Sequence, residues 1–398
     1  MENLLARVKV RWWLFIVRRK RKDEKYVEAL EVLHKVIAAQ PQRALAFVQA
    51  GYCLAKLNRH EEAFRSYARA LEIAPNYGEA HAYMGLAYHD LGRYREALES
   101  LNRAIRMQPS LTDDPYWLHM LGLASGNAEQ WEQSLAAFTK LTESNCRNGN
   151  AWHGLGWALA HLNRDSEALA PLKRAIQLEP QNAAAHRELG DSYFKLQRFN
   201  EAVEQFQEYI RLKPNDPAGH HSLGMTYCEL REFGLAVEPF KQALSLGPEF
   251  AEVYFTLGQV YAQLGQKEKA AAAVRAALRL DPKDPDFYLL LGWALQEPGT
   301  LPEAIAAYQK SLELRPAQLQ ALAYLADAYF DSGRPDEARE ILKHANAFSS
   351  NDPNLHHTLA ELYLKLGMRE EASREQGILK QLDPALAEAF ARLLSSPS

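Results

Sequence analysis

Apolar residues in this chain recur at helical spacings of three and four, and that helical pattern itself returns every 34 residues, as from Gly51 to Gly85. The stretch Gly78–Pro109, GEAHAYMGLAYHDLGRYREALESLNRAIRMQP, shows the unit. With Gly78 as position 1, Gly85 falls at position 8, Tyr88 at 11, Ala97 at 20, Ala104 at 27 and Pro109 at 32. Position 8 is filled in turn by Gly51, Gly85, Gly122, Gly156, Gly190, Gly224, Gly258 and Gly292, then by Ala326 and Ala360. Position 32 is Pro75, Pro109, Pro180, Pro214, Pro248, Pro282, Pro316 and Pro384. Each period predicts a first helix over about positions 2–14 and a second over about 17–30. Proline ends the second, because it lacks an amide proton and restricts the residue before it. Such a period predicts a solenoid of helix pairs, each burying its apolar face on its neighbours.

Ten well-formed repeats begin at Ala44, Gly78, Pro115, Gly149, Ala183, Pro217, Ala251, Pro285, Leu319 and Pro353 and fill 44–386. A degenerate repeat is expected over 10–43, with Trp13 at position 4, Ala29 at 20, Leu33 at 24 and Pro41 at 32. Residues 1–22 form a basic, Trp-rich segment, and 387–398 a C-terminal capping helix and frayed tail. Three extra residues sit within Ser110–Asp114, and repeat 115–148 fits worst, with Ser125 at position 11, Ser134 at 20 and Cys146 at 32. A longer loop and an irregular joint are expected there. Pro171 and Pro239, both at position 23, are expected to bend or disrupt their helices.

The pattern resembles the tetratricopeptide repeat family. Trp152-Leu155-Gly156, Tyr254-Leu257-Gly258-Tyr261, Ala202-Phe206 and Ala304-Tyr308 stand where that family carries its bulky, Leu, small and aromatic residues, and the match covers roughly 44–386. The resemblance implies an all-α, right-handed superhelical solenoid of antiparallel helix pairs that binds other proteins. It also implies a concave wall lined by positions 2, 5, 9, 12 and 13 of the first helices. Candidates for partner contact at these positions are Tyr52, His153, Trp157, Arg187, Asp191, Phe194, His221, Phe255, Gln259, Trp293, Asp327 and Phe330. Aromatics exposed in a groove suit a binding hot spot, with Trp157 and Trp293 foremost. The competing reading packs positions 9 and 12 against the adjacent helix. The family's clamp for acidic chaperone tails needs Lys at position 5 and Asn at position 9, and neither occurs here.

Charge is unevenly placed. The net charge is -4, but residues 1–22 hold eight Lys or Arg against one Glu, about +7, leaving about -11 for the rest. An acidic body argues against nucleic acid bound along the array. The N-terminal segment has three readings: a cap in which Trp12, Trp13, Leu14, Ile16 and Val17 cover the open end; a docking or membrane-surface element presenting Arg11, Trp12, Trp13, Phe15, Arg18 and Arg19 to acidic lipid or an acidic partner; or a short nucleic-acid contact. No stretch approaches the roughly 20 apolar residues of a membrane span. The apolar core Trp12–Val17 is too short for a secretory signal. Cys53, Cys146 and Cys228 lie at unrelated phases, neither a disulfide framework nor a metal spacing. Reduced thiols fit a cytoplasmic setting, with a peripheral membrane location as the alternative.

No phosphate loop, HExxH or GxSxG motif occurs. His81, His186, His220 and His356 share position 4 and are read as packing residues. No catalytic, cofactor or metal site is expected. The sequence reads as a non-catalytic scaffold or adaptor within a multiprotein complex, holding an extended or helical partner segment in a groove. The alternative is a membrane-surface recruitment factor held by residues 1–22. End-to-end self-association is compatible with either.

Overall fold

The computed structural model describes the backbone of residues 2–247, 250–345 and 351–395, and the side chains of these except 2–9, 11 and 395. Pro248, the Arg11 side chain and the tail Ser396–Ser398 lie outside the described residues. Among the described residues the fold is all-α, without strands, in two compact units, Met1–Leu212 and Lys213–Ser398. The first unit pairs α1 (Glu2–Lys22) with α2 (Tyr26–Ala39), α3 (Ala44–Lys56) with α4 (His60–Ile73) and α5 (Gly78–Asp90) with α6 (Tyr94–Met107). It continues with α7 (Pro115–Asn127) and α8 (Trp131–Ser144), α9 (Gly149–His161) and α10 (Asp165–Leu178), α11 (Ala183–Lys195) and α12 (Phe199–Leu212). The second unit pairs α13 (Pro217–Glu229) with α14 (Phe233–Leu246), α15 (Ala251–Gln263) with α16 (Lys267–Leu280) and α17 (Pro285–Leu295) with α18 (Leu301–Leu314). Then come α19 (Leu319–Asp331) with α20 (Pro335–Ala345), α21 (Pro353–Lys365) with α22 (Arg369–Leu382), and a last helix, α23 (Pro384–Ser395).

Local signals set the helix ends. Several first helices are N-capped by a side chain that accepts an early amide: Asp114 from Tyr116 at 2.8 Å, Asn148 from Ala151 and Asn182 from Ala185 at 3.1 Å, Asp284 from Asp286 at 2.8 Å. At the turn to the second helix, position 15 takes a left-handed backbone in nearly every pair. It is Gly92 (φ 71), Gly265 (φ 68), Gly333 (φ 74) and Gly367 (φ 76), but also Glu129 (φ 61), Gln197 (φ 58) and Arg231 (φ 58). The next amide then bonds back to the position-11 carbonyl, as Arg93 to Tyr88 and Arg198 to Tyr193 at 2.9 Å, the signature of a Schellman stop. The pair α17–α18 departs from this: its first helix ends early, and the Thr300 hydroxyl donates at 2.6 Å to the Leu295 carbonyl that the amide serves elsewhere.

The small residue at position 8 has a specific partner. A Cβ built on Gly51 would lie 2.4 Å from the Tyr67 ring; on Gly156, 2.5 Å from Leu172; on Gly190, 2.7 Å from Phe206; and on Gly292, 2.5 Å from Tyr308. Each partner is position 24 of the second helix in the same pair, and each is essentially inaccessible to solvent. Position 24 therefore seats within its own pair, over the glycine. Pro171 and Pro239, expected to bend or disrupt their helices, lie inside α10 and α14 without interrupting either. Each costs one backbone hydrogen bond in a helix that tertiary packing already holds. The inserted residues after α6 form a 3-10 turn, Pro109–Asp113, whose Leu111 is buried. Ser134, where other repeats carry Ala, is also buried and donates its hydroxyl to the Gly122 carbonyl at 2.8 Å. Burial of that polar group is thereby satisfied.

Candidate partner-binding site

First helices of successive pairs touch one another: α3 with α5, α5 with α7, α7 with α9 and α9 with α11 in the first unit; α15 with α17 and α19 with α21 in the second.

In the first unit, Tyr52 lies in a chain of edge-on aromatic contacts, 6.2 Å from Tyr26 and 5.4 Å from Tyr83, which is 5.1 Å from Trp117. The Arg21 guanidinium sits 4.1 Å over its ring. Trp157 is half-buried and packs edge-on to Trp131 at 4.9 Å; Trp131 stacks on His161 at 4.0 Å. A Cβ on Gly126 would meet the Trp157 ring at 2.2 Å, so this indole presses on the backbone of the preceding pair. His153 is half-buried, and burial pushes its pKa down. Its Nε2 has no hydrogen-bond partner.

Arg187, Asp191 and Phe194 converge on one cavity of about 340 Å³, with His161, Glu188, Ser192 and Lys195. Arg187 Nη2 donates to Glu188 at 3.2 Å, and Lys195 Nζ lies 3.5 Å from Asp165 at the start of α10. Asp191 makes neither contact. Burial first, then the neighbouring Glu188 charge, raises its carboxyl to about 6.

In the second unit, Phe255, Gln259 and Trp293 line a single cavity of about 810 Å³, together with Met225, Glu229 and Tyr324. Phe255 packs on Phe287 at 4.8 Å, and the Lys267 ammonium lies 5.7 Å over Trp293. His221 sits apart from this cavity, edge-on to Phe240 at 5.9 Å, its pKa lowered by burial. Asp327 and Phe330 also sit apart. Asp327 accepts from Gln296 at 2.9 Å and lies 3.6 Å from Lys365, whose ammonium is 6.0 Å from the Phe330 ring.

The N-terminal helix α1 divides its apolar residues between two faces. Val10 and Val17 are buried, and Trp13 and Leu14 pack on the same core. Trp12 and Phe15 stay 60% and 63% exposed, with Arg18 and Arg19 exposed on the following turn. Trp12, which the capping reading would bury, is thus mostly exposed among the described residues.

The periodic reading missed Glu188 and Ser192 of the first cavity, Asp165 beside its Lys195, and Met225 and Tyr324 of the second. Glu188 and Ser192 sit at positions 6 and 10, off the expected wall, and Asp165 looks like an ordinary first-turn acid. Of the four position-4 histidines, His186 and His356 are buried, His186 bonding Gln205 and the Pro180 carbonyl and His356 meeting Glu375 at 2.6 Å, while His220 is half-buried and bonds the Pro214 carbonyl. His81 is half-buried. Among the described residues no group of three or more His, Cys, Asp or Glu could hold a metal ion, and no helix is long and apolar enough to cross a membrane.

Antiparallel helix pairs repeated in register, each with a small residue under a bulky one, define a helical-repeat protein. The chain belongs to the tetratricopeptide repeat family: residues 182–389, just over half of it, match the model described as the Cilia and flagella-associated protein 70 C-terminal domain. Residues 42–110 match a tetratricopeptide repeat model and 156–197 a TPR repeat model. No curated protein matches the chain. Among solved structures, a tetratricopeptide repeat protein from Parabacteroides merdae is similar at 18% identity with a TM-score of 0.50, covering 62% of this chain and 99% of that one. That is a likeness of fold alone. Yeast Tom70 is 15% identical with a TM-score of 0.40, covering 99% of this chain and 96% of its own. MamA from Desulfovibrio magneticus is 22% identical with a TM-score of 0.40, covering 43% and 96%.

Proposed function

We propose that this chain is a non-catalytic scaffold or adaptor that holds a segment of a partner protein on the face formed by its first helices. The observation that carries the reading is the open cavity of about 810 Å³ in which Phe255 and Trp293 stand half-buried beside Gln259. Large aromatics reachable from solvent, with amide and carboxylate groups around them, suit an anchor residue with directional hydrogen bonds at its rim. The test is selection of short random peptides on the full chain, followed by affinities on Phe255→Ala and Trp293→Ala. Loss of a central aromatic anchor is expected to weaken binding about 30-fold. Peptides that bind both variants as tightly as the parent would refute the assignment of this cavity.

The exposure of Trp12 and Phe15 next to Arg18 and Arg19 favours a second reading, in which α1 lies against an acidic membrane surface. Sedimentation with anionic vesicles should then fall sharply for Trp12→Ser combined with Phe15→Ser. Equal, negligible sedimentation of parent and variant would dispose of it.

A further inference from the structure

We propose that the cavity between α9 and α11 receives an arginine side chain from the bound partner segment. The inference rests on the reading of the first-helix face as the partner-binding face and adds what the partner must carry there. Three carboxylates, Asp165, Glu188 and Asp191, gather around two cations, Arg187 and Lys195. Glu188 pairs with Arg187 at 3.2 Å and Asp165 stands 3.5 Å from Lys195, whereas Asp191 feels both cations without forming an ion pair with either. One positive charge is missing.

An independent observation says that the missing group is a hydrogen-bonding one. Ser192, only 1% exposed, lines the same cavity, and its hydroxyl has no partner. Arg187 Nε is also buried without an acceptor. Buried polar atoms are nearly always satisfied, so two of them beside the Asp191 carboxylate in one hollow describe a ligand by its complement. The complement needs several N–H donors for the Asp191 carboxylate and the Ser192 oxygen. It also needs a carbonyl oxygen for Arg187 Nε. A guanidinium supplies planar paired donors, and the peptide backbone that carries it supplies the carbonyl. An ammonium offers the charge without the fork. Phe194 at the rim gives the aliphatic stem an apolar wall. A phosphate or carboxylate ligand would meet the unpaired Asp191 charge and be repelled.

The raised Asp191 carboxyl agrees with this geometry, since an arriving cation would restore its ionisation. The test uses three peptide libraries with random flanks and a fixed central arginine, lysine or citrulline, applied to the full chain near neutral pH. Arginine peptides should be retained best. Citrulline, of the same shape but uncharged, should lose about tenfold or more in affinity, and Asp191→Asn should abolish the difference. Equal retention of the three libraries, or an arginine preference untouched by Asp191→Asn, overturns the proposal. If unbiased peptides bind through Phe255 and Trp293 while arginine confers no advantage, the scaffold reading stands and this inference falls. If no peptide binds the chain at all, both fall.

Discussion

Replacing Asp191 with asparagine should stabilise the first unit near neutral pH and leave it unchanged in acid. The Asp191 carboxyl is raised from 3.8 to about 6, chiefly by burial. Around it stand Arg187, Glu188 and Lys195 on α11, His161 on α9 and Asp165 on α10. A folded-state pKa above the unfolded one means that the folded chain binds the extra proton between the two values. Stability therefore falls as pH rises through about 4 to 6, and the deficit is complete above that window. At about 1.4 kcal/mol per unit the shift corresponds to roughly 3 kcal/mol, and the residual exposure of Asp191 reduces this to about 1–3 kcal/mol. Asparagine keeps the shape and removes the charge. Thermal unfolding followed across pH about 4 to 7.5 should show coincident curves at the acid end and a variant melting about 3–8 °C higher at the neutral end. His153 has a depressed pKa and the opposite pH slope, but it is present in both proteins and cancels in the difference. A variant no more stable than the parent at neutral pH would refute the claim that this carboxylate lacks a partner.

Other expectations follow from the packing. Gly292→Ala places a methyl 2.5 Å from the Tyr308 ring and should cost about 1–3 kcal/mol. Gly377→Ala, on a helix face with nothing within 4 Å, should instead gain about 0.5–1 kcal/mol; opposite signs in chemical denaturation check the pair. Glu129→Gly relieves a left-handed backbone (φ 61) at an exposed turn and should raise the melting temperature, a gain of about 1 kcal/mol. Trp157→Ala empties the contact with Gly126 and Trp131 and should lower stability by about 2–4 kcal/mol. Trp293→Ala should cost less stability and more peptide affinity, which calorimetry and titration on both variants separate.

The period made the helix pairs legible because burial at positions 8, 20, 24 and 27 leaves few residue types acceptable there. The turn geometry was not legible in the same way. Position 15 holds Asn, Gly, Glu, Gln or Arg, so residue type hides a backbone feature that nearly every pair shares. Candidate residues spaced along one first helix, such as Arg187, Asp191 and Phe194, could be placed together by helical geometry alone. Trp157 and Trp293 could not be told apart, since both stand at position 9. What distinguishes them lies on other pairs: Gly126 and Trp131 close over Trp157, whereas Trp293 opens onto a cavity with Met225 and Tyr324. Asp165 escaped because a lysine from the next pair, not its own helix, reveals its environment.

The seating of each position-24 side chain over its own position-8 residue also bears on how the chain folds. The contact joins residues separated by one tight turn, so little chain entropy is lost in closing it, and the topology is of the low-contact-order kind that folds quickly. Any pair can form this contact without waiting for a distant segment, and ordering can spread outward from whichever pair forms first. A lesion at one pair, such as an overpacked Gly292, should accordingly melt its surroundings while remote pairs stay ordered, giving amide exchange that is fast around the lesion and slow far from it.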